Sequence, residues 1–259
     1  MKPLRLLQLT AFVSTLDRFA MPPMLLAMSR DLQAPLAAVV QAAGAYFLAY
    51  GLMQPVWGMV SDRLGLVRTM RLTLLAAAVA TTAAATTGSV LTLGIARGLA
   101  GAAFSAAIPA SLIYLGDTVP AVRRQREVTD LMVGVALGTA LASVGAGFVA
   151  QLLSWRVAFV VTGSVALVLV VALRQLAEPP RTRRHVSPLA PLGAVGRSRA
   201  ALVVLVLAFV EGGVLLGVLT LLPPAVEAAG ASAGLAGAVT GAYGVAVLVF
   251  ARLVGFLSR

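Results

Sequence analysis

The sequence predicts an all-α protein that crosses a membrane many times. Of its 259 residues, 60% are hydrophobic and only 11% are charged. A soluble domain carries about 25% charged residues, so an apolar excess of this size calls for lipid as the solvent. The apolar residues fall into runs of roughly 20, the length a helix needs to span hydrocarbon. Between two of these runs lies a short charged turn, Gly58-Met-Val-Ser-Asp62-Arg63-Leu-Gly65-Leu-Val-Arg68, and its framing recurs. Gly44-Ala-Tyr46 leads into Gly58-Met-Val-Ser61 as Gly241-Ala-Tyr243 leads into Gly255-Phe-Leu-Ser258. Related halves in a polytopic chain point to a transporter.

Eight spans can be read, over residues 6–28, 37–60, 71–87, 90–116, 128–153, 155–173, 200–222 and 233–257. Each must be helical, because lipid offers no partner to an unpaired backbone group. Asp17 and Arg18 interrupt the first run, which excludes a signal peptide. In the same span, Pro22 and Pro23 remove two N–H donors and free the carbonyls of Arg18 and Phe19, so this span should bend. Span 7 repeats the device with Pro223-Pro224. Span 5 carries Gly134, Gly138, Ala142 and Gly145 among other small residues, a face suited to close helix packing. Residues 174–199 hold four prolines, six arginines and His185, and read as an extended, solvated linker. The organisation expected is a six-span half over 1–173, a basic linker over 174–199, and two spans of a second half over 200–259.

The net charge of +11 would suggest nucleic acid in a soluble chain, but here the basic residues follow topology. Lys2, Arg5, Arg63, Arg68, Arg71, Arg123, Arg124, Arg126, the linker arginines and Arg259 all fall on one side, against Arg30 and Arg156 on the other. Both termini are therefore expected in the cytoplasm. The chain has no cysteine, and neither a metal-ligand cluster nor a nucleophile–base motif lies in the spans, so no cofactor, metal centre or enzyme is expected.

Four intramembrane ionisable residues are the candidate functional side chains: Asp17, Arg18, Arg97 and Glu211. Asp17 lies about 16 Å into its helix, near the midplane. A carboxylate there costs about 3 kcal/mol on insertion scales and should face a cavity or a partner. Two readings stay open for it: a protonatable site on a wet path, or an ion pair that holds helices together. Asp17 and Arg18 point about 100° apart and do not pair well with each other. Arg97, amid Gly94, Gly98, Gly101 and Ser105, either answers Asp17 or snorkels to the headgroups. Glu211 is a second candidate proton site on span 7.

The turn after span 2 resembles the signature of the major facilitator superfamily, Gly-x-Leu-Ala-Asp-Arg-x-Gly-Arg-Lys. Gly58, Asp62, Arg63 and Gly65 match it, while Leu66 and Val67 replace the basic pair and Arg68 is the nearest cation to stand in. Arg97 and Gly101 fit the family's Arg-x-x-Gln-Gly in span 4, with Ala100 for the glutamine. Asp117, Pro120 and Arg123-Arg124 resemble its acidic end of span 4 and the basic turn that follows. Trp155-Arg156-Val-Ala-Phe159 matches its opening of span 6, and the antiporter signature of span 5 is degenerate at Ala142-Ser143. The resemblance implies a six-helix N-terminal bundle followed by the first two helices of a second one, eight of the family's twelve spans. We read the chain from its sequence as a truncated transporter or a gene fragment.

The resemblance further implies a multi-pass protein of the bacterial plasma membrane, monomeric if complete, whose partners are a small solute, protons and lipid, not nucleic acid. The mechanism expected is alternating access, with Asp17 or Glu211 taking a proton and Asp62 latching the cytoplasmic side. Asp17→Asn is then expected to abolish proton-driven flux and leave folding intact. Sparse polar residues in the spans lean toward an apolar or amphipathic solute and toward export, with proton-coupled uptake as an alternative. The rival from another class is a non-transporting membrane protein acting as a packing partner or sensor.

Overall fold

The computed structural model describes residues 3–180 and 195–257, with the side chains of residue 248 and of those beyond 250 left aside. His185, three of the linker's six arginines (Arg181, Arg183 and Arg184) and the Ser258-Arg259 end of the repeat lie outside the described residues. The described residues form helices α1 (Pro3–Ala20), α2 (Leu25–Asp31), α3 (Leu36–Leu64), α4 (Leu66–Ala84), α5 (Val90–Phe104), α6 (Ala107–Thr118), α7 (Ala121–Leu152), α8 (Trp155–Ala172), α9 (Arg199–Ala228) and α10 (Ala233–Leu257). Among them, six stretches are long and apolar enough to cross a membrane, counting α5 and α6 as one.

The first span is two helices. A 3-10 turn over Pro22–Met24 separates α1 from α2, where the paired prolines remove the donors that would continue the ladder. Span 7 differs: α9 runs through Pro223 and Pro224 as one helix, both prolines buried. The bend expected there is not a break, because α9 takes up the prolines without leaving helical geometry. Span 4, expected from its apolar run to be one helix, is interrupted. α5 ends at Phe104 and α6 begins at Ala107, with Pro109 in the first turn of α6. Two freed oxygens near this break find partners: the Ala102 carbonyl accepts from the Trp57 indole N–H and the Ser105 hydroxyl, and the Phe104 carbonyl accepts from Ser14 Oγ. α7 starts at Ala121, earlier than the apolar run, with Pro120 just before it.

The first eight helices pack around two apolar layers. One, at the end carrying the basic turns, gathers Leu6, Leu7, Met70, Leu74, Phe104 and Leu131. The other, at the opposite end, gathers Met24, Met28, Leu93, Trp155 and Phe159. Asp17 and Arg18 of α1 and Arg97 of α5 lie between these layers. α7 is shared between α1 and α10. A Cβ added at Gly134 would lie 2.6 Å from the Gln8 carbonyl oxygen, and one at Gly138 would lie 2.6 Å from that of Phe12. On its other side, a Cβ at Gly147 would lie 2.5 Å from the Ala233 carbonyl oxygen of α10. Ala142 joins Phe19 and Leu219 in a small buried cluster that ties α9 to α1 and α7. Gly145 faces open space, so the close-packing role read for it does not appear: it lies on a different side of α7 from Gly134 and Gly138. The stretch of α9 from Leu202 to Glu211 is exposed along its whole length.

Candidate functional site

The centre of the bundle is an ion pair. Arg97 Nη1 donates to Asp17 Oδ1 at 3.1 Å and Nη2 to Oδ2 at 2.9 Å, the two-pronged geometry that suits guanidinium and carboxylate. Arg97 Nη2 also donates to the Asp17 carbonyl at 3.0 Å, one residue before the backbone groups that the prolines free. Thr81 Oγ1 of α4 donates to Asp17 Oδ1 at 2.9 Å. Neither Asp17 nor Arg97 has exposed surface. Burial without partners would carry a severe desolvation penalty, and these hydrogen bonds offset it.

Aromatic rings complete the enclosure. The Arg97 guanidinium lies 4.5 Å from the Tyr46 ring of α3 and 4.6 Å from the Phe159 ring of α8. Tyr46 can reach it because α3 runs directly against α5: a Cβ at Gly101 would collide with the Tyr46 backbone. Five of the spans thus contribute to one buried cluster. Of the readings open for Arg97, the structure selects the pair and not the headgroups. For Asp17 it places the carboxylate in the bundle interior and not on a wet surface.

Arg18 turns the other way, as the 100° helical step requires. It is half-buried, donates to the Tyr50 hydroxyl at 2.6 Å and lies 4.2 Å from the Tyr50 ring. Its Nε is buried without a partner, and no carboxylate pairs with it among the described residues. Tyr50 and Tyr46 are one turn apart with rings 6.1 Å apart and 20° from parallel. Arg18, Tyr50, Tyr46, Arg97 and Phe159 therefore form one continuous stack. Glu211 is not brought to it. It is exposed on α9, in the stretch that packs against nothing described.

At the basic end, Gly65 closes α3 and opens α4 with φ of 103°, a conformation that costs a residue with a Cβ. Asp62, Arg63, Arg68 and Asp117 are exposed, while Gly58 is half-buried and Gly65 buried. Neither Asp62 nor Asp117 has an ion-pair partner among the described residues. The carboxylate that engages this turn is one the sequence reading missed. Glu178, following α8, accepts from the Val67 N–H at 3.2 Å and the Arg68 N–H at 3.3 Å, which caps the start of α4. The available signal was an acidic residue placed directly before Pro179-Pro180 at a helix end. Arg124 similarly donates to the Gly116 carbonyl at 2.8 Å at the end of α6.

At the opposite end, Asp31 Oδ2 accepts from the Trp155 indole N–H at 3.1 Å and from Arg156, and Arg156 Nη2 donates to the Thr87 carbonyl at 3.1 Å. This clasp joins α2, α8 and the loop that follows α4. The Arg156 hydrogen bond holds the Asp31 carboxyl below its ordinary value, with burial opposing it slightly. The Trp-Arg-x-x-Phe motif thereby gains a physical meaning: Arg156 reaches Asp31, while Phe159 lies one turn further in against Arg97. Asp31 was the second residue missed. Among the described residues, no group of His, Asp and Glu side chains could hold a metal ion.

Residues 7–259 match the family model described as Major Facilitator Superfamily. Over 143 residues, or 55% of the chain, the sequence is 34% identical to a hexuronate transporter of Escherichia coli strain K12, of which it covers 33%. It is 32% identical over 143 residues to a galacturonate transporter of Dickeya chrysanthemi, covering 41% of that protein. The matched stretch thus covers well under half the length of these relatives. Among solved structures, it superposes with a TM-score of 0.73 on an inward-facing bacterial homolog of the human lysosomal transporter Spinster, at 18% identity, covering 99% of this chain and 62% of that one.

Proposed function

Because the chain belongs to the Major Facilitator Superfamily, we propose that it serves a secondary carrier in the plasma membrane, both termini cytoplasmic, that moves a small sugar acid. The observation that carries this reading is Arg18: a half-buried guanidinium with a hydroxyl and an aromatic face as partners, a buried unpartnered N–H, and no carboxylate partner among the described residues. A guanidinium that still has donors to offer suits a solute carboxylate. The relatives named for hexuronates and galacturonate carry solutes of that class. This reading replaces the apolar solute suggested by sparse polar residues, and with it the reason for favouring export.

Residues 1–173 and 200–259 would belong to the two rocking halves, linked by 174–199. Asp17 is the proton site in this scheme. Accumulating an anion against an inside-negative potential opposes about 2.3 kcal/mol per 100 mV, and a co-transported proton cancels that charge. Proton-coupled uptake follows. Asp17 lies next to Arg18 in sequence, so a solute anion at Arg18 and a proton at Asp17 would be coupled, each binding event favouring the other.

The test is equilibrium binding of labelled galacturonate to the 259-residue chain in lipid nanodiscs, followed by counterflow in vesicles. Galacturonate but not a neutral hexose should compete, and Arg18→Gln should weaken binding at least tenfold. Equal competition by the neutral sugar would refute the anionic class. Binding without counterflow would favour the non-transporting rival, and flux driven by an inside-acid gradient would restore export.

A further inference from the structure

The second tyrosine of the stack has no role in the scheme above. Tyr46 is 1% exposed, yet its hydroxyl has no hydrogen-bond partner. A buried hydroxyl left unmade is costly, so such groups usually have a use in another state. Arg97 Nε is likewise buried without a partner, and the Arg97 guanidinium lies 4.5 Å from the Tyr46 ring. Among the described residues, the other buried side-chain oxygens without a partner belong to Thr69, Ser143 and Glu227; of the two rings against Arg97, Tyr46 and Phe159, Tyr46 is the one that carries a hydroxyl.

We propose that the Tyr46 hydroxyl is the alternative acceptor for Arg97, taking up its guanidinium when Asp17 is protonated. The inference rests on the reading of Asp17 as the proton site. The step moves one proton from water onto an Asp17 carboxylate oxygen; Arg97 stays a cation and no other covalent bond changes. A neutral Asp17 no longer repays the desolvation of Arg97, and a buried, unpaired guanidinium is strongly disfavoured. The Asp17 carbonyl still accepts one N–H. Tyr46 Oη supplies the acceptor that the lost carboxylate vacates. Tyr46 cannot withdraw, because α3 is held against α5 at Gly101.

The groups facing Asp17 are few. α5 presents Arg97, α4 presents Thr81, α8 presents Phe159 beyond Arg97, and α7 meets this stretch of α1 with Gly138 and Ala142. α9 contributes Leu219 and Leu216 beside Phe19. Tyr46 and Tyr50 of α3, with Arg18 on α1 itself, complete the titratable set. Tyr50 already accepts from Arg18, which leaves Tyr46 as the available switch. Tyr46 is thus a positioning residue: it touches neither solute nor proton, and sets how readily the pair opens.

The experiment is isotope-edited infrared titration of the Asp17 carboxyl in the 259-residue chain in nanodiscs, with Asp17→Asn identifying the band. Tyr46→Phe keeps the ring over Arg97 and removes only the acceptor. It should lower the proton affinity of Asp17 about tenfold, a displacement of about one pH unit. A companion measurement on the wild type needs no variant: the Tyr46 Cζ resonance should shift with the same midpoint as Asp17. A Tyr46→Phe titration that coincides with wild type, or a Tyr46 resonance that ignores the Asp17 transition, overturns the inference alone. An Asp17 that takes up no proton between mild acid and mild base overturns its role as proton site and the inference together.

Discussion

Gly101 of α5 lies directly against the backbone of Tyr46 of α3, four residues from the arginine whose guanidinium that tyrosine covers. The contact leaves no room for a side chain. Gly101→Ala should push α3 away and cost about 1–3 kcal/mol, the usual penalty for overpacking. Thermal melting in detergent would show it. A melting temperature equal to wild type would mean that the two helices do not approach this closely.

The buried pair gives a sharper prediction, and it revises the expectation that Asp17→Asn leaves folding intact. Asp17→Asn strands the Arg97 cation in the interior and should destabilise by about 3 kcal/mol. Arg97→Met leaves a buried carboxylate and should do as much. The double variant should lose far less than the sum of the two, because the cost of each single change lies in the partner left behind. Additive losses in a double-mutant cycle would argue against the pair.

Asp31 and Arg156 should make stability depend on pH at the acid end. The folded-state carboxyl of Asp31 is held below its ordinary value, so the clasp contributes above that ordinary value and fades as pH falls through the lower one. Both side chains are partly exposed, which limits the effect to under about 1 kcal/mol. Melting of wild type and Asp31→Asn should differ at neutral pH and converge on acidification below the usual carboxylate range. A difference constant down to strong acid would assign the clasp to something other than charge.

Glu178 should matter to the first turn of α4. Glu178→Ala removes an acceptor from two backbone N–H groups and should cost about 1 kcal/mol. The local signature is faster hydrogen exchange at Val67 and Arg68, with distant amides unchanged. Unaltered exchange at both amides would show that the carboxylate does not cap the helix.

The glycines of α7 should divide by the face they occupy. Gly138→Ala should destabilise, since a methyl there meets the Phe12 carbonyl oxygen at 2.6 Å and Thr15 Cβ at 3.0 Å. Gly145→Ala meets nothing within 4 Å and should be neutral or stabilise by up to about 1 kcal/mol. Equal responses from the two would remove the distinction.

The sequence by itself determined a good deal. The apolar excess and the length of the runs required a bundle of membrane helices, because unpaired backbone groups find no partner in lipid. Asp17 and Arg97 were legible because a charge at hydrocarbon depth stands out against an apolar background. The break after Ala20 was legible because Pro22-Pro23 cannot donate to the ladder. Asp31 and Glu178 were not legible, since a carboxylate beside many loop charges carries no mark of which one it will meet. Periodicity placed Gly138 and Gly145 on the same helix but could not say which face α1 would cover. Depth alone made Glu211 look like Asp17. Tertiary structure decided what each charge faces: the rotation of each helix, fixed by close contacts such as Gly101 on Tyr46 and Gly138 on Phe12, sent Asp17 into a buried pair, left Arg18 half-buried beside it, and left Glu211 exposed.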